Sequence, residues 1–98
     1  ETEPHDILAY SELASVYRNT NRLSKAQETL EQGLNINPDS AQLRALLASI
    51  LIEKGNRRRA EELLKEAERI NPDLELVRLV RQSLVGASLA PTHKTKRR

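Results

Sequence analysis

The 98-residue chain contains no Cys, Met, Trp or Phe, and only two aromatic residues, Tyr10 and Tyr17. The absence of cysteine excludes a disulfide framework and a thiolate metal site, and it leaves no clue to the redox state of the compartment. A hydrophobic core must therefore be built from Leu, Ile, Val and Ala. Glycine is scarce, with three residues, whereas Ala, Leu, Glu, Arg and Gln, which favour helix, dominate. The composition predicts an all-α protein.

Long apolar runs and targeting signals are also absent. No apolar segment approaches the length of a bilayer span, and no signal peptide is recognisable. We therefore predict no membrane span, and the cytoplasm is the default expectation for location. The length suits one small domain. Because residue 1 is Glu and not Met, we expect the chain to be an excised fragment or a processed product.

Positive charge is concentrated at the C-terminal end. The net charge is +2, but Lys94, Lys96, Arg97 and Arg98 lie within the last five residues. Without these four, the chain has 12 basic and 14 acidic residues, a net charge of −2. A nucleic-acid-binding domain normally carries its basic residues on the folded surface. Nucleic acid is therefore a disfavoured partner.

The sequence repeats itself at a fixed interval. Ile-Asn-Pro-Asp occupies residues 36–39 and again residues 70–73, and ten of the 34 pairs between residues 7–40 and 41–74 are identical. A fixed period of about 34 residues is typical of stacked helical repeats. We predict repeat one at 7–40, repeat two at 41–74 and a capping helix at 74–86. Residues 1–5 and the basic tail at 87–98 are predicted to be flexible.

Each repeat has the pattern of two helices. Repeat one begins with apolar residues at helical spacing, which are Ile7, Tyr10, Leu13, Ala14 and Tyr17. The helical pattern is then broken at residues 19–21. Ser24 and Gln27 predict a capping box that opens the second helix. That helix should end before Pro38, because the residue before a proline disfavours helical geometry. Asp39 or Ser40 is expected to cap the next helix.

These residues resemble the tetratricopeptide repeat family, whose pattern places an aromatic, Leu-Gly, Tyr, Ala, Phe and Pro at fixed offsets within about 34 residues. Repeat one matches with Tyr10, Leu13, Ala14, Tyr17, Ala26, Leu30 and Pro38, and repeat two with Arg44, Leu47, Ala48, Leu51, Ala60, Leu64 and Pro72. Arg44 departs from the aromatic position, and Ala replaces Gly in both repeats. A pentatricopeptide repeat is the near alternative, but its period is 35. The resemblance implies an all-α superhelix (solenoid) of two helical hairpins plus a capping helix.

The resemblance also implies function. Most proteins of the family are scaffolds that hold a peptide or helix of another protein in a concave groove lined by the first helix of each hairpin. At the family's groove positions this sequence has Leu8, Ser11, Ser15, Arg18, Asn19, Gln42, Ala45, Ser49, Ile52, Glu53, Leu76, Leu79 and Ser83. Ser15, Ser49 and Ser83 recur at the repeat period, which predicts a floor of small side chains. The alternative interpretation is that small surface residues are neutral on a helix.

Some chaperone-binding members clamp a C-terminal carboxylate with Lys, Asn and Arg. The matching positions here hold Ser11, Ser15, Leu46, Leu76 and Val80, and none of them supplies a positive charge. We therefore disfavour a partner of that type.

Two other functions remain open on sequence grounds. The outer face of repeat one, with Leu8 and Val16, could bury against a second copy to form a homodimer, or against a preceding repeat of a larger array. The basic residues around the hairpin turns and in the tail could bind nucleic acid or another polyanion. A solvated edge and a disordered terminus are the plainer interpretations of these charges.

The sequence shows no catalytic, metal or cofactor site. His5 and His93 lie in opposite terminal segments without Cys or carboxylate at ligand spacing. No glycine-rich phosphate loop is present, and no serine has a nearby histidine to activate it. We predict a protein that is not an enzyme and needs no cofactor.

Overall fold

The computed structural model describes the backbone of residues 6–94 and the side chains of residues 6–86. Within this part of the chain there are five α-helices and no strand: α1 (Ile7–Asn19), α2 (Leu23–Ile36), α3 (Ala41–Lys54), α4 (Arg57–Ile70) and α5 (Glu75–Lys94). Residues 1–5 and 95–98, both predicted to be flexible, lie outside the described residues.

The helices form two hairpins and a fifth helix. Helix α1 packs on α2, and α3 packs on α4, while α3 lies at the centre and contacts all four other helices. Helix α5 packs against both α3 and α4. The predicted fold is therefore confirmed as an all-α solenoid of two helical hairpins with an additional helix at one end.

Local sequence fixes where the helices begin and end. Ser40 caps α3, since its hydroxyl accepts a hydrogen bond from the amide of Leu43 at 3.1 Å. Gly55 ends α3 in the left-handed conformation, with φ at 89°, where a side chain would be strained. Asn56 then caps α4 by accepting from the amide of Arg59. Helix α2 ends at Ile36, just before Asn37 and Pro38, as predicted.

The predicted capping box at Ser24 and Gln27 is wrong. Helix α2 begins at Leu23, with Arg22 at the cap position and no side-chain cap. Ser24 therefore lies inside the first turn, too late to cap it. The side-chain amide of Gln27 instead donates to Glu31 at 3.0 Å, and its oxygen accepts from Lys54 of α3 at 2.6 Å.

Small residues lie where the helices come closest. Ala14, Ala26, Ala48 and Ala60, the alanines shared by the two repeats, are all buried in the core. Gly33 is another such position, because a Cβ atom there would lie 2.9 Å from the ring of Tyr10. Repeat two has Arg44 and Ala67 at the positions of Tyr10 and Gly33. Repeat one therefore combines the bulky ring of Tyr10 with Gly33, which has no side chain.

Leu13 is the exception in the predicted stripe of repeat one. Tyr10 and Tyr17 pack against the core as predicted, but Leu13 is nearly half exposed, unlike its buried counterpart Leu47. The cause is position in the stack: α3 is covered by the preceding helix α2, whereas among the described residues no helix precedes α1. Periodicity identified the face of the helix but not whether a neighbour covers it.

The predicted end of the capping helix at residue 86 is wrong. Helix α5 continues through residues 87–94, which belong to the predicted flexible tail. Gly86 is not among the residues with positive φ, so it does not end the helix as Gly55 does. The apolar periodicity is lost after Leu84 because the part of α5 that packs on other helices ends there. The helix itself extends beyond the surface on which it packs.

Arg81 joins α5 to α4. Its guanidinium donates two hydrogen bonds to Glu68, both at 2.9 Å, and two to Glu61, at 2.8 and 3.0 Å. These bonds lower the pKa of the Glu68 carboxyl below its ordinary value of 4.5, although partial burial opposes the shift. The same two carboxylates raise the pKa of Arg81. Arg81 occupies the position of Leu13 and Leu47, so an ion-pair cluster replaces an apolar contact at this end of the stack.

The helices of the described residues all lack the combination of length and apolar character that crossing a membrane requires.

Candidate protein-binding groove

The first helices of the hairpins lie side by side and carry the predicted groove residues. Helix α3 contacts α1 on one side and α5 on the other. Between α1 and α3 there is an indentation of about 20 Å³ lined by Ser11, Ala14, Ser15, Arg18, Leu30, Leu46, Ser49 and Ile50. Small-molecule sites usually enclose about 300–1,000 Å³. The indentation is therefore a shallow dip between the two helices and is too small to enclose a small molecule.

Hydrogen bonds link α1 to α3 beside this indentation. Ser11 is buried, and its hydroxyl donates to the carbonyl of Ile7 at 2.9 Å and accepts from the side-chain amide of Gln42 at 3.2 Å. Gln42 is thereby oriented across the two helices. These two predicted groove residues lie together, but Ser11 contributes mainly to the packing and is little exposed to a ligand.

An ion pair joins α1 and α3 near their C-terminal ends. The Arg18 guanidinium lies 2.5 Å from a carboxylate oxygen of Glu53. Both residues were predicted to face the groove, but their pairing was not. Because the two charges compensate each other, this end of the groove offers little net positive charge to an acidic ligand.

The remaining predicted residues differ in their exposure. The exposed side chains are Leu8, Ser15, Asn19, Leu79 and Ser83, and the half-buried ones are Gln42, Ser49, Ile52 and Leu76. Ser15 and Ser49 line the indentation together. Leu8 and Leu79, on α1 and α5, are both more than half exposed, as apolar side chains that contact a ligand must be.

Comparison with known proteins identifies the family. A tetratricopeptide repeat family model matches residues 1–50 and, in a second overlapping match, residues 30–84. The chain belongs to the tetratricopeptide repeat family. No curated protein and no solved structure matches the chain significantly. Tetratricopeptide repeats are in general protein–protein interaction modules and typically non-enzymatic scaffolds.

One predicted groove residue of this tetratricopeptide repeat protein is misplaced. Ala45 is completely buried in the core cluster rather than exposed in the groove. Helix α5 packs against α3, and a small residue allows two such helices to approach closely. Ser11, at the same repeat position, is also buried, whereas Leu79 is exposed because among the described residues no helix follows α5.

Leu46 lines the indentation with Ser15 and Ser49, although it is not among the predicted groove residues. A signal was available, because Leu46 precedes Ser49 by three residues, and residues at this spacing share a helix face. Leu46 supplies an apolar wall beside the small serines.

Several basic residues around the hairpin turns are paired with carboxylates in this tetratricopeptide repeat protein. Besides the Arg18–Glu53 pair, Lys25 lies 3.9 Å from Glu28 and Arg59 lies 3.9 Å from Glu31. Lys54 donates to Gln27. Among the described residues there is no cluster of His, Cys, Asp and Glu able to hold a metal ion.

Proposed function

We propose that the groove formed by α1, α3 and α5 holds a peptide or helix of a partner protein. The observation that carries this proposal is the indentation between α1 and α3, where Ser15 and Ser49 lie beside the apolar side chains of Leu46 and Ile50. Small side chains let a ligand backbone approach closely, and the adjacent apolar side chains can contact an apolar side chain of the ligand. Membership of an interaction family supports the same conclusion.

The charges beside the groove favour an apolar or uncharged segment of the partner. Arg18 is compensated by Glu53, and Glu12, one turn before Val16 on α1, is exposed. No described groove residue supplies an unpaired cation to clamp a carboxylate. An acidic tail or a polyanion would therefore gain little from this surface. We infer that apolar side chains of the partner contact Leu8, Leu46 and Leu79.

Replacing Ser49 with arginine should abolish partner binding while the protein stays folded. The long arginine stem would lie across the indentation and block the approach of a ligand, while its charged end extends into water, which limits the cost to stability. Affinity capture of partner proteins from native lysate, followed by quantitative mass spectrometry, measures the effect. We expect the partner captured by the unmodified chain to fall by about tenfold or more, equivalent to about 1.4 kcal/mol.

The matched control is Glu62→Arg, which adds the same side chain at an exposed position of α4. This variant should capture the partner as the unmodified chain does, and circular dichroism should show all three chains equally helical. Ser15→Arg, at an exposed position of α1, should reproduce the loss. Unchanged capture by folded Ser49→Arg and Ser15→Arg chains would refute the groove as the binding surface.

A further inference from the structure

A second and larger cleft lies between α2 and α4, the second helices of the two hairpins. Both helices pack on α3, but among the described residues they do not pack on each other, so a gap remains between them. Its volume is about 640 Å³, within the range of about 300–1,000 Å³ that small-molecule sites usually have. This α2–α4 cleft shares no lining residue with the indentation between α1 and α3, and the proposed function does not use it.

Three leucines form the apolar part of the α2–α4 cleft. Leu34 of α2 and Leu63 of α4 are half-buried, whereas Leu47 of α3 is almost completely buried. Because the three side chains come from three different helices, they line the cleft on both walls and where the walls meet α3. They give a ligand an apolar surface on which a small hydrocarbon group can pack.

Arg44 adds a cation to the cleft, at the position where repeat one has Tyr10. Arg44 is half-buried, and the only side-chain hydrogen bond that it makes to described residues runs from Nη2 to the carbonyl of Pro38, at 2.5 Å. Its Nε atom is shut off from solvent and has no hydrogen-bond partner. Buried donors without an acceptor are rare in proteins. The described residues therefore leave much of the hydrogen-bonding capacity of this guanidinium unfilled.

The carboxylates that line the cleft are compensated by other cations. Glu31 lies 3.9 Å from Arg59, and Glu28 lies 3.9 Å from Lys25. No carboxylate among the described side chains forms an ion pair with Arg44. The charge that remains uncompensated in the cleft is therefore the positive charge of Arg44.

Glu66 of α4 senses the charge of Arg44 without binding it. The hydrogen bond from Arg69 lowers the pKa of the Glu66 carboxyl, and the charge of Arg44 adds to the shift. The hydrogen bonds of this carboxylate come from Arg69. Arg44 thus keeps donors for a carboxylate that enters the cleft from outside.

We propose that the α2–α4 cleft binds a small aliphatic carboxylate, with its anionic group at Arg44 and its hydrocarbon group against the three leucines. A guanidinium suits a carboxylate because it can donate two parallel hydrogen bonds to it. The leucines favour a chain of a few carbon atoms over a bare inorganic anion. Glu28 and Glu31 on the wall formed by α2 disfavour a ligand with more than one negative charge.

Titration of the isotope-labelled full chain with 4-methylpentanoate, followed by two-dimensional amide NMR, tests the proposal. The side-chain amides of Gln32 and Asn35 line the cleft and report on binding. We expect saturable shifts of both with a Kd of about 1 mM, as is reasonable for a ligand of this size. Acetate, which lacks the hydrocarbon chain, and 4-methylpentylamine, which has the opposite charge, should each bind at least about tenfold more weakly. These comparisons use the unmodified chain and so do not depend on the folding of a variant.

Arg44→Gln should weaken the binding of 4-methylpentanoate by about tenfold or more, because the cation is lost. The matched control is Arg78→Gln, at an exposed position of α5 outside the cleft, which should bind as the unmodified chain does. Three results would each overturn the proposal: no saturable shift up to about 20 mM, equal affinity for acetate or the amine, or unchanged affinity in a folded Arg44→Gln chain.

A peptide arm separates a free acid from the end of a polypeptide. The tripeptide acetyl-Gly-Gly-Leu presents a carboxylate and an apolar side chain at a peptide C-terminus. We expect it to bind no more tightly than 4-methylpentanoate. A Kd at least about tenfold lower for the tripeptide would show that the cleft takes a peptide C-terminus and that the assignment to a small free carboxylate is wrong.

Discussion

Replacing Leu47 with alanine is expected to lower the free energy of unfolding by about 3 kcal/mol, whereas Leu13→Ala should cost less than about 1 kcal/mol. The two leucines occupy the same position of successive repeats, on helices with the same neighbouring Ala-Ser sequence. Leu47 is covered by α2 and contributes its whole side chain to the core, while nearly half of Leu13 faces solvent. Shortening Leu47 to alanine leaves a cavity in the core. Shortening Leu13 removes only the contacts that the buried side of its side chain makes.

Urea denaturation followed by circular dichroism measures both variants, and each serves as the control for the other. A domain of this size is stabilised by about 5–15 kcal/mol in total, so the loss at Leu47 is large and readily measured. An equal loss at the two positions would mean that Leu13 is as well covered as Leu47. In that case the side of α1 that carries Leu13 would already be covered by another part of the protein or by a second copy.

Replacing Arg81 with glutamine is expected to lower the free energy of unfolding at pH 7 by about 1–2 kcal/mol. Arg81 is the only described side chain of α5 that holds two carboxylates of α4 at once. Its removal leaves Glu61 and Glu68, both part-buried, without their cation. The partial exposure of the cluster keeps the cost below that of a fully buried pair. Chemical denaturation of both chains at pH 7 measures the difference.

The effect of Arg81 should depend on pH in a defined direction. The Arg81 hydrogen bonds hold the pKa of Glu68 below 4.5 in the folded protein. The resulting stabilisation is complete above the unfolded-state pKa, and it is lost as the pH falls through the lower folded-state pKa. The difference in stability between the unmodified chain and Arg81→Gln should therefore shrink as the pH is lowered from 6 towards about 3.

Arg69→Gln is the matched control for this prediction. Arg69 pairs with Glu66 three residues before it on the exposed surface of α4, and this pair lowers the pKa of Glu66 in the same direction. Since that pair lies within one helix, its loss should affect stability less than the loss of the link between α4 and α5. Equal losses in the free energy of unfolding for Arg69→Gln and Arg81→Gln would contradict the role of Arg81 as a link between α4 and α5. So would a stability difference between the unmodified chain and Arg81→Gln that does not change with pH.

The fold was predictable because its determinants are local and repeated. The period of the repeat located both hairpins, and Pro38 marked the end of α2. The length of α5 was not predictable in the same way. Apolar periodicity reveals only the packed part of a helix, so the segment beyond Gly86 carried no signal for helix.

The candidate site was predictable in outline but not in its contacts. Ser15 and Ser49, which the family positions assign to the groove, line one indentation, but those positions could not show that Ala45 is buried. The Arg18–Glu53 pair joins two separate helices, and Arg81 reaches Glu61 and Glu68 from the next helix. Such pairs depend on how neighbouring helices are aligned, which a single sequence does not specify.

Site-specific photo-crosslinking tests most directly whether the groove is the surface that binds a partner protein. A photoreactive phenylalanine derivative placed at Ser15 or Ser83, both exposed on the groove helices, is compared with one at Glu62 or Lys65, both exposed on α4. After irradiation in native lysate, the predicted result is a common cross-linked partner from Ser15 and Ser83 and none from α4. The same partner cross-linked from Glu62 or Lys65, and not from the groove, would contradict the proposed function.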